Sequence, residues 1–330
     1  MPATGITSSP AAPPASNAPD RRDSWEVGYL FAAIGAVLFS TKAVIVKLAY
    51  GVQLDPETLL ALRMGFSLPF YLAIGAMAVR ERCRRNLALP RPDLWIRAAL
   101  IGLLGYWLSS YSDFLGLEYI SAQFERLILF TYPLFVVLIG AAFFRQPVTL
   151  RVLSATLISY SGLALIFSEN FSLDGPHVAI GAALVLASSI AFALYQLLAR
   201  EVILIMGPRL FTCIAMTSAA IGAFVQFFAE HSANALLVQG RPLAYAILIA
   251  IAATVIPSFF LNAALHRISA QANGAIGTIS PIVTILLSAA ILGERLNALG
   301  IAGAVLVIGG IGWFTLSGRG ASPPHMVISK

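Results

Sequence analysis

Charged residues are scarce in this chain of 330 residues: Asp, Glu, Lys and Arg make up 11% of it, whereas hydrophobic residues make up 58%. The mean hydropathy of the sequence is +0.85. So few charges do not cover the surface of a soluble protein of this length, and so much apolar surface does not fit inside one. The composition therefore excludes a soluble globular fold and is typical of an integral membrane protein.

Cysteine and clustered metal ligands are also scarce. Cys83 lies among arginines and Cys213 lies in an apolar run, which predicts neither a disulfide framework nor a metal site. The four histidines are scattered at His177, His231, His266 and His325. The sequence has no His-x-x-x-His pattern, paired aspartates or serine elbow at membrane depth, and no Walker lysine motif. We therefore expect no metal, no cofactor, no direct use of ATP and no enzyme activity.

The amino-terminal segment lacks an apolar core followed by a cleavage site, so no cleaved signal peptide is evident. Residues 1–24 are rich in Pro, Ala and Ser, a composition that predicts a disordered tail. Residues 318–330 are expected to form a second, shorter tail.

Long apolar runs fill most of the remaining chain. A helix needs roughly 20 apolar residues to cross about 30 Å of hydrocarbon. The runs predict ten spans: Trp25–Lys47, Glu57–Val79, Leu94–Gly116, Ser121–Phe144, Thr149–Ser168, Val178–Ala199, Pro208–Ala229, Pro242–Ala264, Ala270–Leu292 and Ala298–Ser317. The short connections between them require neighbouring spans to be antiparallel. We therefore expect an all-α integral membrane fold.

The basic residues predict the direction of the spans. One side of the predicted membrane carries fifteen Lys and Arg residues in or beside its loops, including six between Arg80 and Arg97. The other side has Arg241 and Arg295 in its loops and Lys47 at the end of span 1. Since basic loops stay in the cytoplasm, both termini are predicted to be cytoplasmic. The net charge of +6 is thus a topology signal, and we expect no nucleic-acid partner.

The sequence repeats itself. An offset of 148 residues aligns "ISAQ" at 120–123 with "ISAQ" at 268–271, and Pro133 with Pro281, without a gap. A weaker match at offset 153 aligns Phe39 with Phe192. Residues 25–168 and 178–317 are therefore predicted to be two five-helix repeats. Because five is odd, the second repeat enters the membrane from the opposite side, and such inverted repeats are typical of alternating access to a site at the midplane.

The ten-span layout, the duplicated "ISAQ" with its later proline, and the ending "LGERLNALGIAGAVLVIGGI" resemble the drug/metabolite transporter superfamily, EamA family. The similarity covers about residues 25 to 317, although "FFRQPVT" in repeat one departs from "LGERLN" in repeat two. The resemblance implies two inverted five-helix repeats around a central cavity lined chiefly by spans 1, 3, 4, 6, 8 and 9. It also implies a protein of the bacterial inner membrane, related to exporters of amino acids and similar metabolites.

Apart from charged residues at the span ends or beside the loops, five fall within the spans, where each costs roughly 2.5 to 3.5 kcal/mol at the centre. They are Lys42, Arg63, Asp113, Glu125 and Arg126. One interpretation is a structural ion-pair cluster, in which the tight turn between spans 3 and 4 puts Asp113 and Arg126 at similar depth and Lys42 or Arg63 extends outward. The other gives Lys42 and Glu125 a role in the cavity or its gate.

Polar and aromatic residues at helical spacing predict the lining of that cavity, because polar side chains facing lipid are costly. Small hydroxyl residues also allow close helix packing, which is the alternative interpretation. The predicted substrate-binding residues are Lys42, Tyr106, Trp107, Ser110, Glu125, Tyr132, Tyr195, Gln196, Ser258, Asn262, Thr278 and Ser280. Pro133 and Pro281 are predicted hinges, since each removes a backbone hydrogen bond in mid-span.

The sequence therefore favours a secondary transporter that exports small metabolites, foremost amino acids that are aromatic or otherwise neutral, by alternating access. Export of cationic or aromatic drugs or of other metabolites, and passive facilitation, remain alternatives. The expected partners are a small-molecule substrate and membrane lipid, and the sequence makes no prediction of the oligomeric state.

Overall fold

The computed structural model describes residues 21–144, 150–174, 176–277, 279–294 and 297–317, which form helices and turns without a β-strand. The α-helices are α1 Arg21–Tyr50, α2 Pro56–Arg84, α3 Pro92–Gly102, α4 Ser109–Tyr119, α5 Ala122–Leu129, α6 Tyr132–Phe144, α7 Leu150–Asp174, α8 His177–Met206, α9 Pro208–Glu230, α10 Arg241–Ala250, α11 Ile256–Arg267, α12 Ala270–Gly277, α13 Ile279–Ile291 and α14 Ala298–Ser317. A short 3-10 helix covers Ala233–Leu236. The predicted tails lie outside the described residues, apart from residues 21–24 in α1.

Seven helical segments in the described ranges are long and apolar enough to cross a membrane. Two shorter apolar helices, Leu153–Ser168 and Ala298–Trp313, accompany them. Large apolar side chains cover the outside: Phe143 is 78% exposed and Val225 is 68% exposed. A surface of this kind requires lipid around it, so the chain is a multi-pass membrane protein.

The duplicated "ISAQ" forms the start of a helix in both halves. Ile120 and Ile268 have extended backbones that end the preceding helix. Ser121 Oγ then accepts a hydrogen bond from the Phe124 backbone N–H at 3.2 Å, and Ser269 Oγ accepts one from the Ala272 N–H at 3.1 Å. Serine is favoured at this position because its oxygen satisfies an N–H group that has no partner within the helix.

A second duplicated feature is a π-helical segment in the middle of a longer helix. The segment π1, Leu103–Leu108, joins α3 to α4, and π2, Ile251–Val255, joins α10 to α11. Their first residues are 148 positions apart, which is the offset of the sequence repeat. Segments of this kind are rare and concentrate at functional sites.

Each half packs its first long helix against the other half. Gly28 in α1 contacts Ile268, where an added Cβ would lie 2.9 Å from the side chain. Gly181 in α8, which corresponds to Gly28 at offset 153, contacts Ile120, where an added Cβ would lie 2.8 Å from the side chain. Tyr50, at the far end of α1, donates a hydrogen bond to the Phe114 carbonyl in α4 at 2.8 Å. Since α1 is about 45 Å long, the contact of Gly28 with Ile268 and the contact of Tyr50 with Phe114 lie at opposite ends of the bundle.

Candidate functional site

Two adjoining cavities lie where the halves meet. The first takes up about 610 Å³, open solvent included, and is bordered by α1, α2, π1, α4, α5, α8, π2 and α11. The second, of about 450 Å³ with open solvent included, is bordered by α1, α5, α6, α8, α11, α12 and α13. Both are lined by Phe39, Leu129, Phe192, Gln196 and Leu261. These shared residues make the two spaces parts of one site.

An aromatic pair stands between the cavities. The rings of Phe39 and Phe192 are stacked, with centroids 6.4 Å apart and planes 13° from parallel. Tyr132 meets Phe192 edge to face at 5.0 Å, and Tyr195 stacks on it at 5.6 Å. The lining therefore offers several flat apolar faces to a bound molecule.

A closed ring of hydrogen bonds forms one wall of the first cavity. The Tyr195 hydroxyl donates to Asn262 Oδ1 at 2.6 Å, and Asn262 Nδ2 donates to the Tyr106 hydroxyl at 3.0 Å. The two hydroxyls are 2.9 Å apart, so Tyr106 donates to Tyr195 and completes the ring. A ring in which each donor has an acceptor holds its three side chains rigidly. Gly105 in π1 allows this arrangement, because a Cβ there would overlap the Tyr195 ring.

The charged residues form two buried pairs. Lys42 Nζ lies 2.5 Å from Asp113 Oδ2, and both side chains are almost wholly buried. Arg126 Nε lies 3.6 Å from Glu125 Oε2, with both side chains again buried. The Lys42 ammonium is also 4.6 Å from the Phe39 ring centroid. The cation of each pair thus lies over the Phe39 ring, with Arg126 at 5.5 Å from its centroid, and all four side chains are buried.

The structure corrects the expected structural charge cluster. Asp113 pairs with Lys42 and not with Arg126, whose carboxylate partner is its sequence neighbour Glu125. Lys42 and Arg63 are each 2% exposed, so neither extends outward to water. The sequence placed these residues at similar depth, but the pairing depends on how α1 packs against α4, which sequence spacing does not reveal.

Arg63 lines the first cavity from α2. Its guanidinium lies over the Phe114 ring, 4.9 Å from the centroid. Among the described residues its Nε and Nη2 have no hydrogen-bond partner. Arg63 is not among the binding residues predicted from helical spacing, although a lone arginine within an apolar span is a signal for such a site.

Two amides in the lining also have polar atoms without partners in the described part of the chain. Gln196 has an unpartnered Oε1 and reaches both cavities. Asn273, in the second cavity, has neither side-chain polar atom hydrogen-bonded. Buried polar groups normally have partners, so these atoms are available to water or a bound molecule.

Most of the predicted binding residues line one of the two cavities. Seven line the first cavity: Lys42, Tyr106, Ser110, Tyr195, Gln196, Ser258 and Asn262. The second is lined by Tyr132, Gln196 and Ser280. Trp107 turns away, and its Nε1 donates to Gln226 Oε1 in α9 at 2.8 Å. Glu125 lines neither of these cavities and pairs with Arg126, and Thr278 is outside the described residues.

The predicted hinges lie at helix starts. Pro133 is the second residue of α6, directly after the interruption at Phe130 and Thr131, and Pro281 is the third residue of α13. A proline at 133 leaves the Leu129 carbonyl without its usual donor within the helix. Ser189 Oγ in α8 donates to that carbonyl at 3.1 Å. The break is therefore compensated by the other half of the chain.

Comparison with known proteins adds the family. The EamA-like transporter family matches residues 26–168 and again residues 179–316. The uncharacterized transporter YcbK of Bacillus subtilis (strain 168) is 31% identical over 296 residues, which are 86% of this chain and 92% of that protein. An uncharacterized transporter of Clostridium kluyveri is 23% identical over 294 residues, covering 85% of this chain and 90% of its own.

A solved crystal structure of a protein that is 16% identical aligns with a TM-score of 0.63, over 88% of this chain and 98% of that one. At this identity the likeness shows a shared fold alone. The two family matches, one for each half, and the similarity to YcbK lead to one conclusion: the chain belongs to the EamA-like transporter family.

Proposed function

We propose that this transporter exports small metabolites across the bacterial inner membrane, and that amino acids with aromatic or other neutral side chains are its main substrates. The observation that carries the proposal is the site between the halves. It combines stacked aromatic rings with unpartnered polar atoms on Arg63, Gln196 and Asn273. A zwitterion with an apolar side chain needs charged or polar contacts at one end and an apolar surface at the other.

Alternating access is the mechanism we propose for this site. Its lining comes from both halves, and the aromatic pair contributes one phenylalanine from each. The matching contacts of Gly28 and Gly181 at opposite ends of the bundle support two inverted repeats of five spans, residues 25–168 and 178–317. Rocking of one repeat against the other then opens the site to each side in turn.

The orientation that we propose follows from the basic loops. Fifteen Lys and Arg residues lie beside the loops of one predicted side, which supports a cytoplasmic location for both termini and the tails 1–24 and 318–330. In that orientation the end of α1 near Gly28 is cytoplasmic and the end near Tyr50 is external.

The test is efflux from proteoliposomes loaded in parallel with radiolabelled phenylalanine, leucine, a cationic dye and a sugar phosphate. We expect saturable efflux of the amino acids and its loss in Asn262→Leu, which breaks the hydrogen-bond ring in the cavity wall. Gln226→Leu serves as the matched control, because Gln226 bonds Trp107 away from the site. Efflux of the dye or the sugar phosphate in place of the amino acids would overturn the substrate assignment.

A further inference from the structure

We propose that Arg63 binds the carboxylate of the transported molecule, so that the substrates are compounds with one carboxylate attached to an apolar or aromatic body. The inference deepens the proposed function and rests on it for the location of the site. It depends on three features of the described residues: the position of Arg63, its unpartnered donors and the balance of buried charge around it.

Arg63 is a buried cation with no counter-ion beside it. It is 2% exposed, and none of the ion pairs among the described residues includes it. Its guanidinium lies over the face of the Phe114 ring, and the Asp113 carboxylate, which pairs with Lys42, acts on it only from beyond ion-pair distance. An uncompensated buried charge is costly, and charged residues at membrane depth mark substrate or ion pathways.

The charge balance around the site leaves a deficit of negative charge. Five charged side chains are buried in the described ranges: Lys42, Arg63, Asp113, Glu125 and Arg126. Lys42 is matched by Asp113 and Arg126 by Glu125. Three cations face two carboxyl groups, so one positive charge, that of Arg63, is left over. A bound anion supplies the missing charge.

The free donors have the geometry of a carboxylate receptor. Nε and Nη2 are the unpartnered nitrogens, and they lie along one edge of the planar guanidinium. Their N–H bonds are parallel and match the two oxygens of a carboxylate, which gives a bidentate contact. A lysine at this position would offer a point charge without that geometry.

The remaining lining fits the rest of such a molecule. The aromatic pair of Phe39 and Phe192 offers flat surfaces to an apolar side chain. The Gln196 carbonyl, which borders both cavities and has no donor among the described residues, is an acceptor for an ammonium or hydroxyl group. All substrates would then share the carboxylate bound by Arg63. An ammonium or hydroxyl group that contacts Gln196 would select among these carboxylates.

Ligand-dependent melting of the purified protein in detergent tests the inference. The panel is L-phenylalanine, 3-phenylpropionate, L-phenylalaninamide and phenethylamine, which share the aromatic body but differ in carboxylate and ammonium. We expect the first two to raise the melting temperature and the last two to leave it unchanged. Arg63→Gln removes both the charge and the bidentate contact and should weaken carboxylate binding by about tenfold or more. Arg63→Lys keeps the charge and should weaken binding by less.

The unliganded melting temperature separates a binding role from a structural one. Among the described residues Arg63 has no ion-pair partner, and its Nε and Nη2 have no hydrogen-bond partner to lose. The Arg63→Gln protein should therefore melt at or above the wild-type temperature without ligand, whereas replacement of an arginine with a structural role would lower the melting temperature. Arg209→Gln is the matched control, since Arg209 is exposed on α9. Unchanged carboxylate binding in Arg63→Gln, or stabilisation of the wild type by the amide or amine but by neither carboxylate, would overturn the inference. A wild-type melting temperature that neither carboxylate raises would also overturn the inference.

The result also distinguishes this inference from the function on which it rests. If 3-phenylpropionate binds through Arg63 while no amino acid is transported, the amino-acid assignment fails and the carboxylate receptor stands. If amino acids are transported equally by the wild type and Arg63→Gln, the transport function stands and the receptor fails.

Discussion

Asp113 occupies the position that Leu261 holds in the second half, at the repeat offset of 148. Glu125 likewise corresponds to Asn273, and Arg126 to Gly274. The buried charges of the described chain therefore belong to the first repeat, and their counterparts in the second are uncharged. Duplication supplied the scaffold, and the residues that distinguish the site electrostatically lie in one half of it.

The Lys42–Asp113 pair leads to the first prediction. Asp113→Asn leaves Lys42 charged and buried without its partner, which should destabilise the protein by roughly 3 to 5 kcal/mol. The double variant Lys42→Met, Asp113→Leu should regain most of the lost stability, because an apolar pair needs no compensation. Melting curves in detergent measure both effects. An Asp113→Asn protein as stable as the wild type would show that the pair is not a buried ion pair.

A second prediction concerns the close approach at Gly105. Gly105→Ala places a Cβ against the Tyr195 ring and should displace it from the hydrogen-bond ring, at a cost of about 1 to 3 kcal/mol. Transport should fall more than the amount of folded protein does. Gly309→Ala is the control, since nothing lies within 4 Å of a Cβ there. Transport rates normalised to folded protein test it, and equal rates in the two variants would contradict it.

At the scale of the helix, Glu294, which follows α13 in the second repeat, contacts the start of α5 in the first repeat. Its carboxylate accepts hydrogen bonds from the backbone N–H groups of Ala122 at 2.9 Å and Gln123 at 3.2 Å. The Gln123 side chain returns a bond to the Glu294 carbonyl at 3.1 Å. The glutamate of "LGERLN" thus caps α5 of the first repeat, beside the cap supplied by Ser121.

Removal of this cap is the third prediction. Glu294→Ala should destabilise the protein by about 1 to 2 kcal/mol, because two N–H groups at a helix start lose a charged acceptor. Glu201→Ala, at an exposed position on α8, should have little effect. The melting temperatures of the two variants decide the matter. A loss equal to that of Glu201→Ala would mean that the cap contributes nothing.

The interruption before Pro133 gives the fourth prediction. Pro133→Ala and Pro281→Ala allow the helices to continue and should slow transport without lowering stability, since each restores a backbone donor. Initial efflux rates, compared with melting temperatures of the same preparations, separate the two effects. Normal rates in both variants at normal expression would remove the hinge role.

The sequence predicted the repeat offset of 148, but it did not predict every structural element that recurs at this offset. Ser121 and Ser269 are readable in the sequence, because the capping residue is local. The segments π1 and π2 were not predicted, since a π-helical turn leaves no apolar period of its own. Phe39 and Phe192 were aligned by the offset of 153, yet their stacking across the site depends on how the halves pack. Trp107 was expected at the site from its depth, whereas its direction is set by Gln226.

At the scale of the molecule, the packing between the halves is reciprocal. Gly162 in α7 packs against the backbone of Gly303 in α14, and Gly310 in α14 packs against the backbone of Ala155 in α7. Gly303 and Gly310 are the counterparts, at offset 148, of Ala155 and Gly162. Small residues let membrane helices approach this closely. A two-fold relation between the repeats requires such pairs of contacts, in which the second contact repeats the first with α7 and α14 exchanged.

The central claim is that the two repeats cross the membrane in opposite directions around the shared site. Tyr119 and Arg267 are counterparts at offset 148, and each ends the helix that precedes an "ISAQ" turn. Single cysteines at these positions, in a Cys83→Ser, Cys213→Ala background, are exposed to a membrane-impermeant maleimide on intact cells. The account predicts labelling of Tyr119→Cys in intact cells, and of Arg267→Cys only after the membrane is opened. Labelling of both from the same side would contradict it.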